Sequence, residues 1–353
     1  MNQPTPTPVP SSAPTAGQPP HRGSPLGSLL AKFGPFLALL TLVIVGLSTN
    51  DAFGKPENFQ NILWAMAPVG IVAIGMTFVI SLGGIDLSVG SLAALVGVAT
   101  ITFVNSVGGS DPSAWVVAGA CVLAVVLGAC LGTLNGMLVA LARIPPFIVT
   151  LGTMAAFKSL AQTLANDGVV SARGDLFKSV GGGGIPLLYD RLPDDSLRVA
   201  LMIPWPVVAF FAMALVGQLV LRRTIFGRRV LAIGDNETAS RYAAVPVRSV
   251  RLATYTLCGA MAGLGALMSA SYLNSASHSQ TGAMWELDAI AAVVIGGTIM
   301  SGGSGTVAGT VVGVVLLGVI NNLLVMWGSP PALQGLFKGS IIVAAVLIQR
   351  GRK

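Results

Sequence analysis

From residue 28 to its end the chain is a series of long apolar stretches separated by short polar segments. A membrane-spanning helix needs about 20 mainly apolar residues. On that criterion the pattern predicts spans over 28–48, 62–82, 86–105, 114–140, 147–165, 201–221, 252–273, 288–302, 305–327 and 332–349. Ten spans is the reading and eight the fallback. The stretch 288–302 is the weakest, since its length also suits a re-entrant segment buried in protein. A transmembrane barrel would alternate apolar and polar positions over segments of about 10 residues, whereas Ala114 to Leu134 is continuously apolar, so a barrel is excluded. The fold class is an all-α polytopic membrane protein. Residues 1–26 are instead rich in Pro, Ser, Thr and Gly and are read as a disordered cytoplasmic tail, leaving 27–353 as the transmembrane domain. The first apolar stretch starts near Leu29 with no clear small-residue cleavage site before the mature chain, so it reads as a span, not a cleaved signal.

Composition agrees, with 53% hydrophobic and only 9% charged residues. The net charge of +7 would raise nucleic acid as a partner for a soluble protein. Here the basic residues are sorted by loop: 13 fall on one side, seven of them between Arg222 and Arg251, against 5 on the other and 2, Lys158 and Lys338, within spans. Cytoplasmic loops concentrate Lys and Arg, so both termini are expected in the cytoplasm, with an even number of spans, and no nucleic-acid partner is expected. Lys158 and Lys338 read as lysines that snorkel to an interface, with a substrate role as the alternative. Cys121, Cys130 and Cys258 lie in apolar segments without metal-ligand spacing, and His21 and His278 are isolated, so no metal site is expected.

Two glycine series stand out. Gly128, Gly132 and Gly136 repeat every fourth residue, as do Gly305, Gly309 and Gly313. Such spacing lines one helix face and admits another backbone closely, the way helices pack in lipid. The series fall in the fourth and ninth predicted spans, each followed by a Pro-Pro and a Phe-Lys pair, an echo that fits an inverted 5+5 repeat or chance. Asp86 lies in Gly83-Gly84-Ile85-Asp86-Leu87-Ser88-Val89-Gly90, where it reads as a helix cap or as a polar contact along a translocation route. Asp288, after Glu286, opens another span with the same two readings. Asp86, Ser88, Asn135, Glu286 and Asp288 form the candidate pathway set. Gly303-x-Gly305-x-x-Ala308 mimics a dinucleotide fingerprint but lacks the βαβ unit around it. No G-x-x-x-x-G-K-[ST] phosphate loop occurs, so if ATP drives transport another chain binds it.

Between the basic residues of 222–251, Asp235 or Asn236 reads as an N-cap, Glu237 suits a first turn and Pro246 should stop a short helix lying outside the bilayer. The segments GGIDLSVG at 83–90, FGRRVLAIGDNETASRYAAVPV at 226–247 and ELDAIAAVVIGGTIMSGGSGTVAGTVVG at 286–313 together resemble the ribose/xylose-type permease family of bacterial ATP-binding-cassette importers, from about residue 30 onward. That resemblance implies an inner-membrane permease working as a dimer with a periplasmic binding protein. It also implies a separate cytoplasmic ATPase that uses ATP and Mg and docks on 226–247, engaging Asp235, Asn236, Glu237, Arg241 and Tyr242. The permease itself would bind no cofactor. A secondary transporter driven by an ion gradient is the alternative and would need buried titratable groups, for which Asp86 and Asp288 are the candidates. A membrane-embedded enzyme would need a nucleophile, acid–base or metal cluster, and none is read.

Overall fold

The computed structural model describes residues 25–191, 197–330, 333–337, 339–340 and 343. Most of the predicted tail, most of the predicted last span and Lys338 lie outside the described residues. The helices are α1 (Pro25–Thr49), α2 (Pro56–Ser81), α3 (Val89–Gly108), α4 (Ala114–Ala140), α5 (Pro146–Leu164), α6 (Leu176–Gly182), α7 (Trp205–Arg223), α8 (Ile225–Asp235), α9 (Glu237–Tyr242), α10 (Val247–Leu273), α11 (Trp285–Ile295) and α12 (Val307–Met326). Two short antiparallel pairs join β1 (Val169–Ser171) to β4 (Ser275–Ser277) and β2 (Gly184–Arg191) to β3 (Leu197–Pro204). The chain divides after Gly34 into two units, the first holding the start of α1 and the second all later elements. Among the described residues, α2, α3, α4, α5, α7, α10 and α12 are long and apolar enough to cross a membrane. The protein is an all-α polytopic membrane protein.

Three predicted elements are corrected. The span placed at 201–221 begins only at Trp205, because the residues before it pair as β3. Proline pushes its predecessor to extended backbone, so Pro204 holds Ile203 out of the helix, while Pro206 sits in the first turn of α7, where a proline is tolerated. The segment 166–200, left without an element between the predicted spans 147–165 and 201–221, carries β1, α6, β2 and part of β3. The stretch 288–302 becomes α11, which starts earlier and has 11 residues. At 1.5 Å per residue that is about 16 Å, near half the hydrocarbon core. Gly297, at φ 91°, ends it because only glycine takes that conformation without strain.

α2 is the central helix: 78% of its apolar window is buried, against 22% for α4 and for α5, whose apolar faces are left for lipid. Pro56 opens α2 with Glu57 in its first turn, both favoured at a helix start. Pro68 inside α2 removes one backbone hydrogen bond, and its carbonyl is approached closely by Gly265 of α10.

The same packing pattern occurs twice, each time joining an early helix to a late one. α4 packs on α10 as α12 packs on α2, α3 on α10 as α11 on α2, and α3 on α4 as α11 on α12. A hydroxyl pair marks each first contact, Thr133 with Thr256 at 2.8 Å and Thr77 with Thr310 at 2.7 Å. Thr133 follows Gly132 as Thr310 follows Gly309, so the two pairs use the same step of the two glycine series.

Candidate functional site

Three of the five candidate pathway residues meet in one buried turn. α2 ends at Ser81, Gly83 turns the chain at φ 84°, and Asp86 is wholly buried before α3 begins. Asp86 Oδ1 accepts the Ser88 backbone N–H at 2.9 Å and the Ser88 Oγ–H at 2.6 Å. From α4, Asn135 Nδ2 donates to Ser88 Oγ at 2.8 Å, and from α10, Tyr255 Oη donates to the Ile85 carbonyl at 3.2 Å. The turn therefore ties α2, α3, α4 and α10 at one point. The capping reading of Asp86 is corrected in detail. Ser88 holds the N-cap position of α3, no side chain caps that helix, and Asp86 instead folds back on the N–H two residues on, as Asp does in tight turns.

Glu286 and Asp288 border different parts of the structure. Two residues along a helix rotate the side chain by about 200°, so they leave α11 on opposite faces. Glu286 points to the start of α3, where its carboxylate lies against Gly90. Asp288 borders a cavity between α2, α11 and α12. Neither caps α11, whose N-cap position is Met284.

The basic segment folds as two helices. α8 is amphipathic: Val230 and Ile233 pack with Leu82, Val247 and Val250, while Arg228 and Arg229 are exposed. Phe226 stacks on Phe78 of α2 at 6.1 Å. Asn236 is the N-cap of α9, accepting the Ala239 N–H at 2.9 Å. Glu237 Oε1 accepts from Arg241 Nε at 3.1 Å, and its Oε2 accepts from Arg251 Nη2 of α10 at 2.8 Å. The hydrogen bonds from Arg241, with help from Arg251, hold the Glu237 carboxyl below its usual range against the opposing effect of partial burial. Pro246 does not end α9. The helix stops at Tyr242, Ala244 turns at φ 56°, and Pro246 takes the N-cap position of α10. Tyr242 is 89% exposed, and Arg241 and Asp235 are also exposed.

The glycine series meet backbone, as their spacing implies, with one exception. A Cβ on Gly128 would stand 2.8 Å from Gly263 Cα, one on Gly132 2.9 Å from Gly259 Cα, and one on Gly136 3.0 Å from the Leu252 carbonyl oxygen. In the second series Gly309 faces Gly296 and Gly313 faces Ala292, at 3.0 and 2.8 Å from their carbonyl carbons. Gly305 precedes α12 and does not share its face. It packs against Thr298 and Ser81 in the turn that follows α11.

That turn reaches the end of α8. Gly303 N donates to the Ser81 carbonyl at 3.0 Å, and a Cβ on Gly302 or Gly303 would stand 2.8 Å from Gly234 O or Asp235 Cα respectively. The ends of α2, α8 and α11 thus converge on glycine backbone.

The family described as "branched-chain amino acid transport system / permease component" matches residues 58–346. The chain belongs to this permease family. The ribose import permease of Bacillus subtilis is 38% identical over 331 residues, covering 91% of this chain and 94% of that protein. The L-arabinose transporter permease of Azospirillum brasilense is 31% identical, covering 92% and 89%. The xylose transport system permease of Escherichia coli K12 is 32% identical and covers 100% of this permease and 99% of that one. No solved structure matches the chain.

Two features of the permease escape a reading of the sequence. Gly234 looks like a helix residue in a basic loop, and only the fold brings it to Ser81 and Gly303. Asn61 is one polar residue at the start of an apolar helix, and only α12 reveals that Asn321 and Asn322 lie across a cavity from it. The two adjacent asparagines in an apolar run were the available signal.

Proposed function

We propose that this chain is the membrane-spanning subunit of an ATP-binding-cassette importer for a sugar or similar small polyol. The observation that carries this reading is end-to-end similarity to permeases named for ribose, arabinose and xylose, without a phosphate-binding loop in the chain itself. ATP is hydrolysed by a separate cytoplasmic subunit, which docks on α8 and α9. Glu237, Arg241 and Tyr242 supply its contact, and a substrate-binding protein presents the ligand on the opposite side. Two permease copies assemble around one route, with both termini in the cytoplasm of a bacterial inner membrane. Support for the orientation comes from the basic loops, and support for docking from an exposed, mixed-charge helix with no lipid-facing surface to bury.

Mechanically, motion at α9 has a rigid path inward. Glu237 pins α9 to α10 through Arg251, and α8 abuts the end of α2 and the turn after α11. Tight contacts of this kind transmit displacement because packed backbone has no slack to absorb it.

Uptake of ribose, xylose and arabinose into vesicles holding the permease, its ATPase and a binding protein tests the reading. Uptake with ATP and none with an ion gradient alone is expected. Uptake driven by the gradient without ATP would overturn it in favour of a secondary transporter.

A further inference from the structure

We propose that the groove between α4 and α10 is a docking site for an anionic phospholipid of the surrounding bilayer, with its phosphate held by Arg143 and Arg248 and one acyl chain lying along α10. The site is separate from the transport reading and holds whichever solute is carried. The groove is an open trough bordered by Thr133 of α4 and by Ser249, Leu252, Thr256, Leu257 and Ala260 of α10. From Ser249 to Ala260 it runs about 16 Å along the helix. The hydrocarbon core of a bilayer is about 30 Å thick, so this length matches the chain region of one leaflet.

The chemistry of the groove changes from end to end. Past Ser249 its polar groups are occupied. The Thr133 and Thr256 hydroxyls meet at 2.8 Å, and each also lies within reach of a carbonyl of its own helix, Ala129 and Leu252 respectively. The trough thus presents carbon to whatever fills it. At the other end Ser249 is exposed beside the exposed Arg248. Arg143 reaches the same end from α4. Gly128, Gly132 and Gly136 meet Gly263, Gly259 and Leu252 in turn, so the two helices run antiparallel and the turn carrying Arg143 lies level with the first turn of α10. Arg143 is exposed and takes φ 58°, a left-handed conformation just past a helix end, where glycine is the usual residue. An arginine there costs backbone energy that a use for its charge offsets.

Neither Arg143 nor Arg248 makes an ion pair among the described residues, and Glu237 of α9 is already shared by Arg241 and Arg251. Two guanidinium groups beside a hydroxyl suit a phosphate, whose oxygens accept from all three. Basic residues beside a gap between spanning helices recognise anionic headgroups in the same way. The apolar trough leading away from the arginines suits the tail of the same molecule, which a soluble anion lacks. A second copy of the chain fits less well, since a twofold contact centred here would set two arginine pairs against each other.

Ala253 lines the groove and is exposed, so Ala253→Cys carries a bimane label there. The other accessible thiols are removed by Cys121→Ala and Cys130→Ala, leaving the buried Cys258. The full-length chain is reconstituted in bilayers in which brominated phosphatidylglycerol or brominated phosphatidylcholine replaces the unbrominated lipid, and quenching of the label gives their relative binding. Each basic residue near the membrane surface is worth about a fivefold preference for the anionic lipid, so two predict about 25-fold at low salt. Arg143→Gln and Arg248→Gln should each remove about fivefold, and the double variant should bring the ratio near one. Salt at about 1 M should shrink the preference in the unaltered arginine background, an arm that needs no further substitution. A label at Val126→Cys, 52% exposed on α4 beyond the groove, should be quenched equally by both lipids. Equal quenching at Ala253, a preference untouched by salt or surviving in the double variant, or an equal preference at Val126 would overturn the proposal. A label at Ala253 that neither lipid quenches would overturn it as well, and would show that a second copy or another protein covers the groove.

Discussion

A methyl group placed on Gly234, near the end of α8, would overlap the carbonyl oxygen of Ser81, the last residue of α2, and would stand 2.5 Å from Gly303 N. The Ser81 carbonyl already accepts a hydrogen bond from Gly303 N, so the site offers no room for a side chain. A short amphipathic helix and the central helix of the bundle therefore touch backbone to backbone, on the route by which an ATPase docked on α8 and α9, as proposed, would move the permease.

Gly234→Ala should separate stability from transport. Overpacking typically costs about 1–3 kcal/mol, and the backbone that must shift here joins three elements. A lower melting temperature in detergent and reduced ATP-driven uptake are expected. Gly152→Ala, whose Cβ would meet nothing within 4 Å, is the control and should melt at or slightly above the wild-type temperature. Identical melting and uptake for both variants would remove the junction from the mechanism.

Arg241→Glu should weaken docking of the ATPase without unfolding the spans. It places a second carboxylate beside Glu237 and reverses an exposed charge, and truncating a buried interface pair costs about 2–5 kcal/mol. Co-purification with the ATPase and ligand-stimulated hydrolysis should both fall, while membrane insertion persists. Glu237 adds a pH dependence. Its carboxyl is held below the usual range, so its contribution is complete above that range and is lost as pH falls through the depressed value. Hydrogen exchange in 237–242 should accordingly be flat from neutral pH down to the ordinary Glu range, after correction for intrinsic rates, and rise only below it. Loss of protection already near pH 6 would show that this ion pair does not hold α9.

Asp86→Asn and Asp86→Ala should differ. Asn keeps an oxygen for the Ser88 N–H and Oγ–H, whereas Ala leaves buried donors unpaired at about 1–3 kcal/mol each. The Ala variant should therefore be markedly less stable in a detergent melt. If Asn transports at the wild-type rate, the carboxylate is structural. If Asn assembles normally but transport falls, its charge lies on the route.

Orientation is tested by fusion. A reporter active only in the cytoplasm should work when joined after Arg229, in α8, and fail when joined after Gly174, between β1 and α6. Activity at Gly174 would reverse the topology.

Long apolar stretches determined the membrane class and most helix positions from the sequence alone, because lipid leaves backbone polar groups no partner outside a helix. The starts and stops were less legible. Leu201 to Pro204 is apolar in either state, and pairing with β2, together with the prolines, made it a strand. Gly297 ended α11 early through its backbone conformation, which composition does not reveal. The glycine spacing at 128–136 implied close approach, but which backbone approaches was decided by α10, distant in sequence.

For the candidate site the division is similar. Local spacing put Glu237 and Arg241 one turn apart and narrowed the cap to Asp235 or Asn236, of which the structure selects Asn236, since those interactions span three or four residues. Residue type alone brought Asp86, Ser88, Asn135, Glu286 and Asp288 into one set. Only the tertiary structure divided them, gathering Asp86, Ser88 and Asn135 in one turn and sending Glu286 and Asp288 to opposite faces of α11. The cavity walls come from α2, α11 and α12, and chain folding alone decides that Asn61 stands across from Asn321. Sequence fixes which groups a helix carries and at what angle, while the facing helix determines whether they meet lipid, backbone or an open space.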